Sequence, residues 1–376
     1  MTLCSAYLPD DRPGPGRLCE VPLEVLASGP AELVLPEATV RDERGGALLD
    51  GGLVVDPAAG GGPLGDAGSD RAARAFGLVN VAFHTQRALR AVTGLLGRPL
   101  PHLVVRIGMH DAPRRWGGGH YRLSARSYEP GEPDAVGETG EVHLGGGSSF
   151  LPTASGDTYF AAPSHNLAII YHEIGHHVCR HTADFRLNAL RPAPAQTNKK
   201  IAADEGTADL LTAILLGTPD IYGWHRAALP AWDQRRRQLD PRWTMAHFRG
   251  GRTDPHADGT VWASAGWTAR RRVVAAGHEP ARFDRMLLRG LALAGAEATG
   301  SETGPTESGP TETGPTEQAL RQRRHFGALL AAMLRTDPEL TDPVLAGMAE
   351  HGIVPGVTNA QLRDTAQARL LVAVGG

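Results

Sequence analysis

The sequence predicts an α+β fold: a β-rich N-terminal half, a central histidine-bearing helix and a helical C-terminal half. Three observations carry that expectation. Short apolar runs broken by Gly and Pro fill residues 20–56. Apolar residues fall at helical spacing through most of the chain beyond residue 164. Between the two regimes stands "SHNLAIIYHEIGHHVCRH", residues 164–181, a single apolar-periodic stretch rich in histidine. With 376 residues, 41% of them hydrophobic, the chain can bury a large core as one large domain or two.

In chain order, the first residues "MTLCSAYLPDDRPGPGRLCE" carry no basic region followed by an apolar core, so no secretory signal is expected. No run approaches the roughly 18 apolar residues a membrane span needs. A cytoplasmic location is therefore expected. Cys4, Cys19 and Cys179 are too few, and odd in number, for a disulfide framework. Cys4 and Cys19 could pair only in an oxidising compartment, for which nothing in the sequence argues. Residues 20–56 read as several short strands. Residues 57–70 read as a loop whose glycines lack the GK[ST] of a phosphate loop and the spacing of a dinucleotide fold.

A long amphipathic helix is expected over 69–97, with Ser69 or Asp70 at its start and Gly97 at its end. "HLVVRIG" (102–108), "HYRLSARSY" (120–128) and "GEVHLGGG" (140–147) read as strands. The 164–181 stretch comes next, with Ser164 as expected N-cap. "SETGPTESGPTETGPTE" (301–317) is a Thr-Glu-Gly-Pro repeat that can bury almost no apolar area, so a disordered linker over 298–317 is expected. The expected organisation is an N-terminal β-rich segment (1–68), a catalytic lobe with the histidine helix (69–182) and a helical lobe containing that linker (183–376).

Within the central stretch lies "HEIGH". His172 and His176 are four apart, so one helical turn stacks them on one face, where two imidazoles can share a zinc ion. Glu173 is rotated by about 100° from His172 and cannot easily bind the same ion, but it can reach a water there, as a general base must. The bland alternative is a set of packed polar residues in a chain with 16 histidines. Against it, two histidines set between Ile170 and Ile174 would be costly to bury without partners.

Two histidines do not hold a catalytic zinc; a third protein ligand is needed. The HExxHxxGxxH pattern fails, because Cys179 and Thr182 stand where Gly and His would be. His177 and His181 point off the His172–His176 face. "IAADEGTADLLTAILLGTP" (201–219) is a second expected helix, stopped by Gly217 and Pro219. Its Glu205 and Asp209 share one face. One carboxylate would complete a two-histidine, one-carboxylate site, and the other would hydrogen-bond the outer nitrogen of a ligand histidine. A solvated acidic face is the plainer reading of these two residues taken alone.

"HEIGH" followed by "DEGTAD" resembles the gluzincin zinc metallopeptidases of the thermolysin and fungalysin type. The resemblance implies a two-lobe fold with Zn²⁺ held by His172, His176 and Glu205. It also implies Glu173 as base and Asp209 orienting His172. "DPHADGTVWASAGW" (254–267) is similar to the HxxGxVWA segment of fungalysin-like peptidases, which implies that His256 stabilises the oxyanion. The strands at 119–146 lack the family's Asn-Ala substrate-edge pattern, and no long propeptide is evident.

Two peptidase rivals stand beside this reading. "HEIGH" with "EGTADLLTAILLGTP" also resembles the ImmA/IrrE-type regulatory metallopeptidases, and "GTAD" resembles the GTxD of deuterolysin-like enzymes, which would make Asp209 the third ligand. The non-enzymatic rival is a zinc-containing scaffold that binds peptide without cutting it. A peptide or protein substrate is the expected partner. A net charge of −3 gives no drive toward nucleic acid or anionic membrane. The basic runs "DQRRRQ" (233–238) and "TARRRVV" (268–274) read as solvated helix faces. Oligomeric state is not legible.

Overall fold

In the computed structural model the described residues are all but 11–15, 57–70, 110–116, 123–138, 147–162, 191–195, 197–198, 222–236, 240–242, 251–254, 301–322 and 375–376. They form a mixed α+β structure with eight α-helices and two sheets. The strands are β1 (Thr2–Leu8), β2 (Arg17–Leu23), β3 (Ala27–Gly29), β4 (Glu32–Val34), β5 (Ala38–Asp42), β6 (Leu103–Met109), β7 (Gly119–Arg122) and β8 (Glu141–Gly145). The helices are α1 (Arg71–Leu96), α2 (Leu167–Arg180), α3 (Ala202–Leu216), α4 (Pro255–Ala275), α5 (Pro280–Gly300), α6 (Phe326–Thr336), α7 (Thr341–Glu350) and α8 (Asn359–Val374). The β-first, helix-later order matches the sequence expectation. No helix of the described residues is long and apolar enough to cross a membrane.

β1 and β2 form an antiparallel hairpin of their own. The main sheet runs β3-β4-β5-β6-β8-β7, with β5, β6 and β8 parallel and β7 antiparallel at one edge. Parallel neighbours need a crossover, and α1 supplies the one between β5 and β6. One sheet face is apolar: Val40, Val105 and Val142 are in register across β5, β6 and β8 and are buried. α1 packs on β5 and on the hairpin, and α2 packs on β7 and β8.

Every residue of α2 from Leu167 to Cys179 is buried, the histidines and Glu173 included. A helix buried all round is a core element. Its cap corrects the expected Ser164: Asn166 is the N-cap, and its side-chain oxygen accepts from the N–H groups of Ala168 and Ile169. Ser164 lies just upstream, in a short 3₁₀ segment over Pro163–His165. The three cysteines are free; Cys4 and Cys19 lie on paired strands two residues out of register.

α3 packs against α2 on one side and α4 on the other. Gly217 ends α3 with φ 76°, a left-handed value that glycine adopts without penalty. Gly97 does the same after α1 with φ 75°. α5 continues to Gly300, past the expected start of the linker at 298, and residues 301–317 lie outside the described residues, as does the expected loop 57–70. Strand residues expected at 123–128 also lie outside them.

Candidate metal centre

The site forms where α2, α3 and the start of α4 meet. His172 and His176 project from α2 with their Nε2 atoms 3.1 Å apart. Glu205 projects from the first turn of α3, its Oε2 3.1 Å from His172 Nε2 and 3.4 Å from His176 Nε2. All three side chains are buried. One ligand atom from each lies within 4.8 Å of the others, so the three could hold one metal ion. Glu205 Oε1 is buried without a hydrogen-bond partner. Its Oε2 faces the two imidazoles, and a buried carboxylate whose second oxygen lacks a proton donor is what a cation would satisfy.

Electrostatics point the same way. Burial would push His176 down, but Asp204 and Glu205 outweigh it and raise its pKa to about 10. The field that attracts a proton there attracts a metal cation equally. Burial opposes ionisation of Glu205, yet His256, His176 and His172 hold its carboxyl well below the usual range.

Each of the two histidines is held from behind by a carboxylate. His172 Nδ1 lies 2.9 Å from Asp209 Oδ1, and His176 Nδ1 lies 3.0 Å from Asp204 Oδ1. Such contacts fix tautomer and ring orientation. Each aspartate is clamped in turn by an arginine. Arg237 Nε donates to Asp209 Oδ2 at 3.0 Å, and Arg186 Nη2 lies 2.7 Å from Asp204 Oδ2. Both carboxyls lie below their ordinary values: burial opposes this, and Arg237 and Arg186 respectively outweigh it.

Arg237 corrects the expectation for "DQRRRQ". Its side chain is 11% exposed and stands 2.8 Å from His172 Nδ1, so it belongs to the site and not to a solvated face. The other basic run fits better: Arg271 and Arg272 are exposed. Asp204 has no part in the sequence expectation either. It directly precedes Glu205, and the roughly 100° turn between helix neighbours aims it at a different histidine.

Glu173 lies beside this group, buried, with Oε2 lacking a hydrogen-bond partner. The edge strand β7 passes over it. A Cβ on Gly119 would stand 2.7 Å from Glu173 Cγ and 2.9 Å from its Oε1, so glycine is what lets the strand approach. His256 opens α4 with Nδ1 2.9 Å from Glu205 Oε2 and Nε2 2.8 Å from Lys200 Nζ. It therefore reaches the site through the ligand carboxylate. Burial lowers its pKa, and Glu205 opposes the shift.

His177 and His181 point elsewhere, as expected. His177 Nδ1 meets the Tyr121 hydroxyl at 3.1 Å, and His181 Nε2 meets the Thr139 carbonyl at 2.9 Å. The chain matches no family model and no curated protein.

Proposed function

We propose that the protein is a zinc-dependent endopeptidase with a thermolysin-like two-lobe layout. The β-rich half and α2 would form one lobe and the helices from α3 onward the other. The observation that carries this reading is the Glu173 carboxylate: buried, with an oxygen lacking any proton donor, beside a two-histidine, one-carboxylate group. A purely structural zinc is closed by four protein ligands and needs no base. That weighs against a peptide-binding scaffold.

His172, His176 and Glu205 would hold the ion, and Zn²⁺ in such a site acidifies water and polarises a carbonyl. Glu173 takes the proton of the attacking water and passes it to the leaving nitrogen. Asp209 with Arg237, and Asp204 with Arg186, keep the two imidazoles in the orientation the ligands need. His256 donates toward the developing oxyanion. β7 is the edge of the main sheet, so an extended peptide can add to it by main-chain hydrogen bonds, bringing its backbone past Gly119 and Glu173. A narrow substrate, such as a leader peptide or one regulatory protein, suits a site reached along a single short strand.

The ImmA/IrrE-type reading shares the ligands and base but gives His256 no task, whereas here His256 contacts Glu205. The deuterolysin-type reading makes Asp209 a ligand. The outer-nitrogen contact of Asp209 with His172, together with its arginine clamp, favours Glu205 instead.

The test is Glu173→Gln against wild type on a peptide library, with metal measured in the same samples. The amide cannot accept a proton, so hydrolysis should fall by at least about 10²-fold while metal content stays full. Full activity in that variant overturns the mechanism. Absence of cleavage by the metal-loaded wild type on every peptide supports the scaffold.

A further inference from the structure

We propose that the chain binds a single halide-sized anion between Arg180 and Arg186, one helical turn along α2 from His176. Arg180 ends α2 and Arg186 stands six residues on. Together with Tyr121, His176, Cys179, Asp184, Phe185 and Asp204 they line a small cavity with room for about one water-sized particle. Both arginine side chains are buried, at 9% and 7% exposure.

Each guanidinium is only partly used. Arg180 Nη1 lies 3.4 Å from Asp184 Oδ2, and Arg186 Nη2 lies 2.7 Å from Asp204 Oδ2. Three further donors, Arg180 Nε and Arg186 Nε and Nη1, are buried with no acceptor. Buried guanidinium N–H groups left in that state are strongly unfavourable.

The local acceptors are already committed. Asp184 accepts from the N–H groups of Asn188 and Ala189. Asp204 serves His176 and Arg186. The Tyr121 hydroxyl donates to the Thr139 carbonyl. Burial raises the Cys179 thiol well above its ordinary value, so it stays neutral and supplies no charge of its own.

The cluster therefore has a surplus of donors. A water molecule could accept from two of them but would bring two protons, for which only carboxylate oxygens that already accept remain. A halide accepts from several N–H groups and brings none. The cavity is too small for sulfate, phosphate or a carboxylate. The anion would fix Arg186, which fixes Asp204, which orients His176. Halide should thus tighten metal binding by several-fold, within the range seen for outer-shell partners of metal ligands.

The experiment uses the purified full-length chain in sodium gluconate, exchanged for chloride or bromide at constant ionic strength. The melting temperature should rise saturably by about 1–3 °C with halide and not with sulfate. The ³⁵Cl resonance should broaden with wild type and sharpen again on adding bromide. Arg180→Gln and Arg186→Lys should each remove both effects. If either variant fails to fold, a bromide anomalous peak between the two arginines in wild-type crystals decides the matter. Equal behaviour in gluconate and chloride overturns the proposal, as does broadening that survives both substitutions or a water at that position in bromide-soaked crystals. None of these readouts measures hydrolysis, so failure here leaves the peptidase reading standing, and failure of that reading leaves this one standing.

Discussion

Glu205 and Asp209 lie one helical turn apart on α3, and the site gives them different work. Glu205 faces the inner nitrogens of both histidines; Asp209 faces the outer nitrogen of one. Glu205→Ala should therefore empty the site, while Asp209→Ala should weaken metal affinity by about 10–100-fold. Metal analysis of the two purified variants checks this, and the reverse outcome would make Asp209 the ligand. His256 is the harder residue, because its ring meets Glu205 through Nδ1 and Lys200 through Nε2. As an oxyanion donor it acts mainly in the transition state, so His256→Ala should lower kcat about 10²–10³-fold with little change in KM. Metal loss as large as that of Asp209→Ala would show instead that it acts by holding Glu205. The grouping of His172 and His176, and of Glu205 and Asp209, was legible because four-residue spacing on a helix puts each pair on one face. Arg237 was not, since nothing local distinguishes it from its neighbours in "DQRRRQ". Its role depends on the chain returning 28 residues after Asp209 to place a guanidinium against that carboxylate. Asp204 was missed for a different reason: its partner His176 is fixed by how α2 and α3 cross, which spacing within one helix does not reveal.

That crossing is set by small residues. A Cβ on Gly175, inside "HEIGH", would stand 2.8 Å from Ala208 Cα, so α2 and α3 meet almost backbone to backbone. Gly206, inside "DEGTAD", faces Gly259 of α4, and a Cβ there would collide with the Gly259 carbonyl. The motifs thus contain their own packing residues: the glycine beside Glu205 brings α4, and with it His256, up to that carboxylate. Gly206→Ala should cost about 1–3 kcal/mol or more, because the obstacle is backbone and cannot rotate aside. It should also reduce metal affinity, since separating α3 from α4 moves Glu205. Thermal melts of the metal-free and metal-loaded variant separate the two effects; an unchanged melting temperature would show that the helices part without penalty. At this scale α1, α2 and α3 were readable from apolar period and stop signals to within about three residues. The β1–β2 hairpin was not. Its first strand shows no alternation of burial, with four consecutive buried residues from Cys4 to Tyr7, because it packs on α1 as well as pairing with β2. Such a strand offers no period to read.

Across the whole molecule the histidines make stability depend on pH in a way that composition alone would not suggest. His84 and His177 are buried and pushed down to about 3, and His165 and His181 to about 4, in each case chiefly because burial strips the imidazolium of solvent. His84 is also fixed as a neutral linker, between the Tyr171 hydroxyl at 2.6 Å and the Tyr7 carbonyl at 2.7 Å. In the unfolded chain each would titrate near its ordinary value of about 6.5. Between that value and the folded one the unfolded state binds more protons, so stability falls as pH falls. Each histidine contributes about 1.4 kcal/mol per pH unit in that window, and the four together about 5.5 kcal/mol per unit near pH 5. A second acid stage lies lower. Burial opposes ionisation of Glu141, but His143 and Arg106 hold it down to about 2, so its contribution is present above about 4.5 and is lost as pH falls toward about 2. His176 runs the other way when no metal is bound, its raised pKa giving stability below about 6.5 that is lost as pH rises through about 10. As a metal ligand it no longer titrates, so the measurement belongs on metal-loaded protein at pH values where the metal is retained. Calorimetric melts between pH 7 and 5 should show a steep fall well above the carboxylate range. His165→Gln keeps a donor for the Ala73 carbonyl but cannot charge, and it should make the fall shallower by about a quarter. A melting temperature that stays level from pH 7 to 5 would mean that these imidazoles reach water in the folded state, and that the contacts joining α1 to the hairpin and to α2 are looser than described.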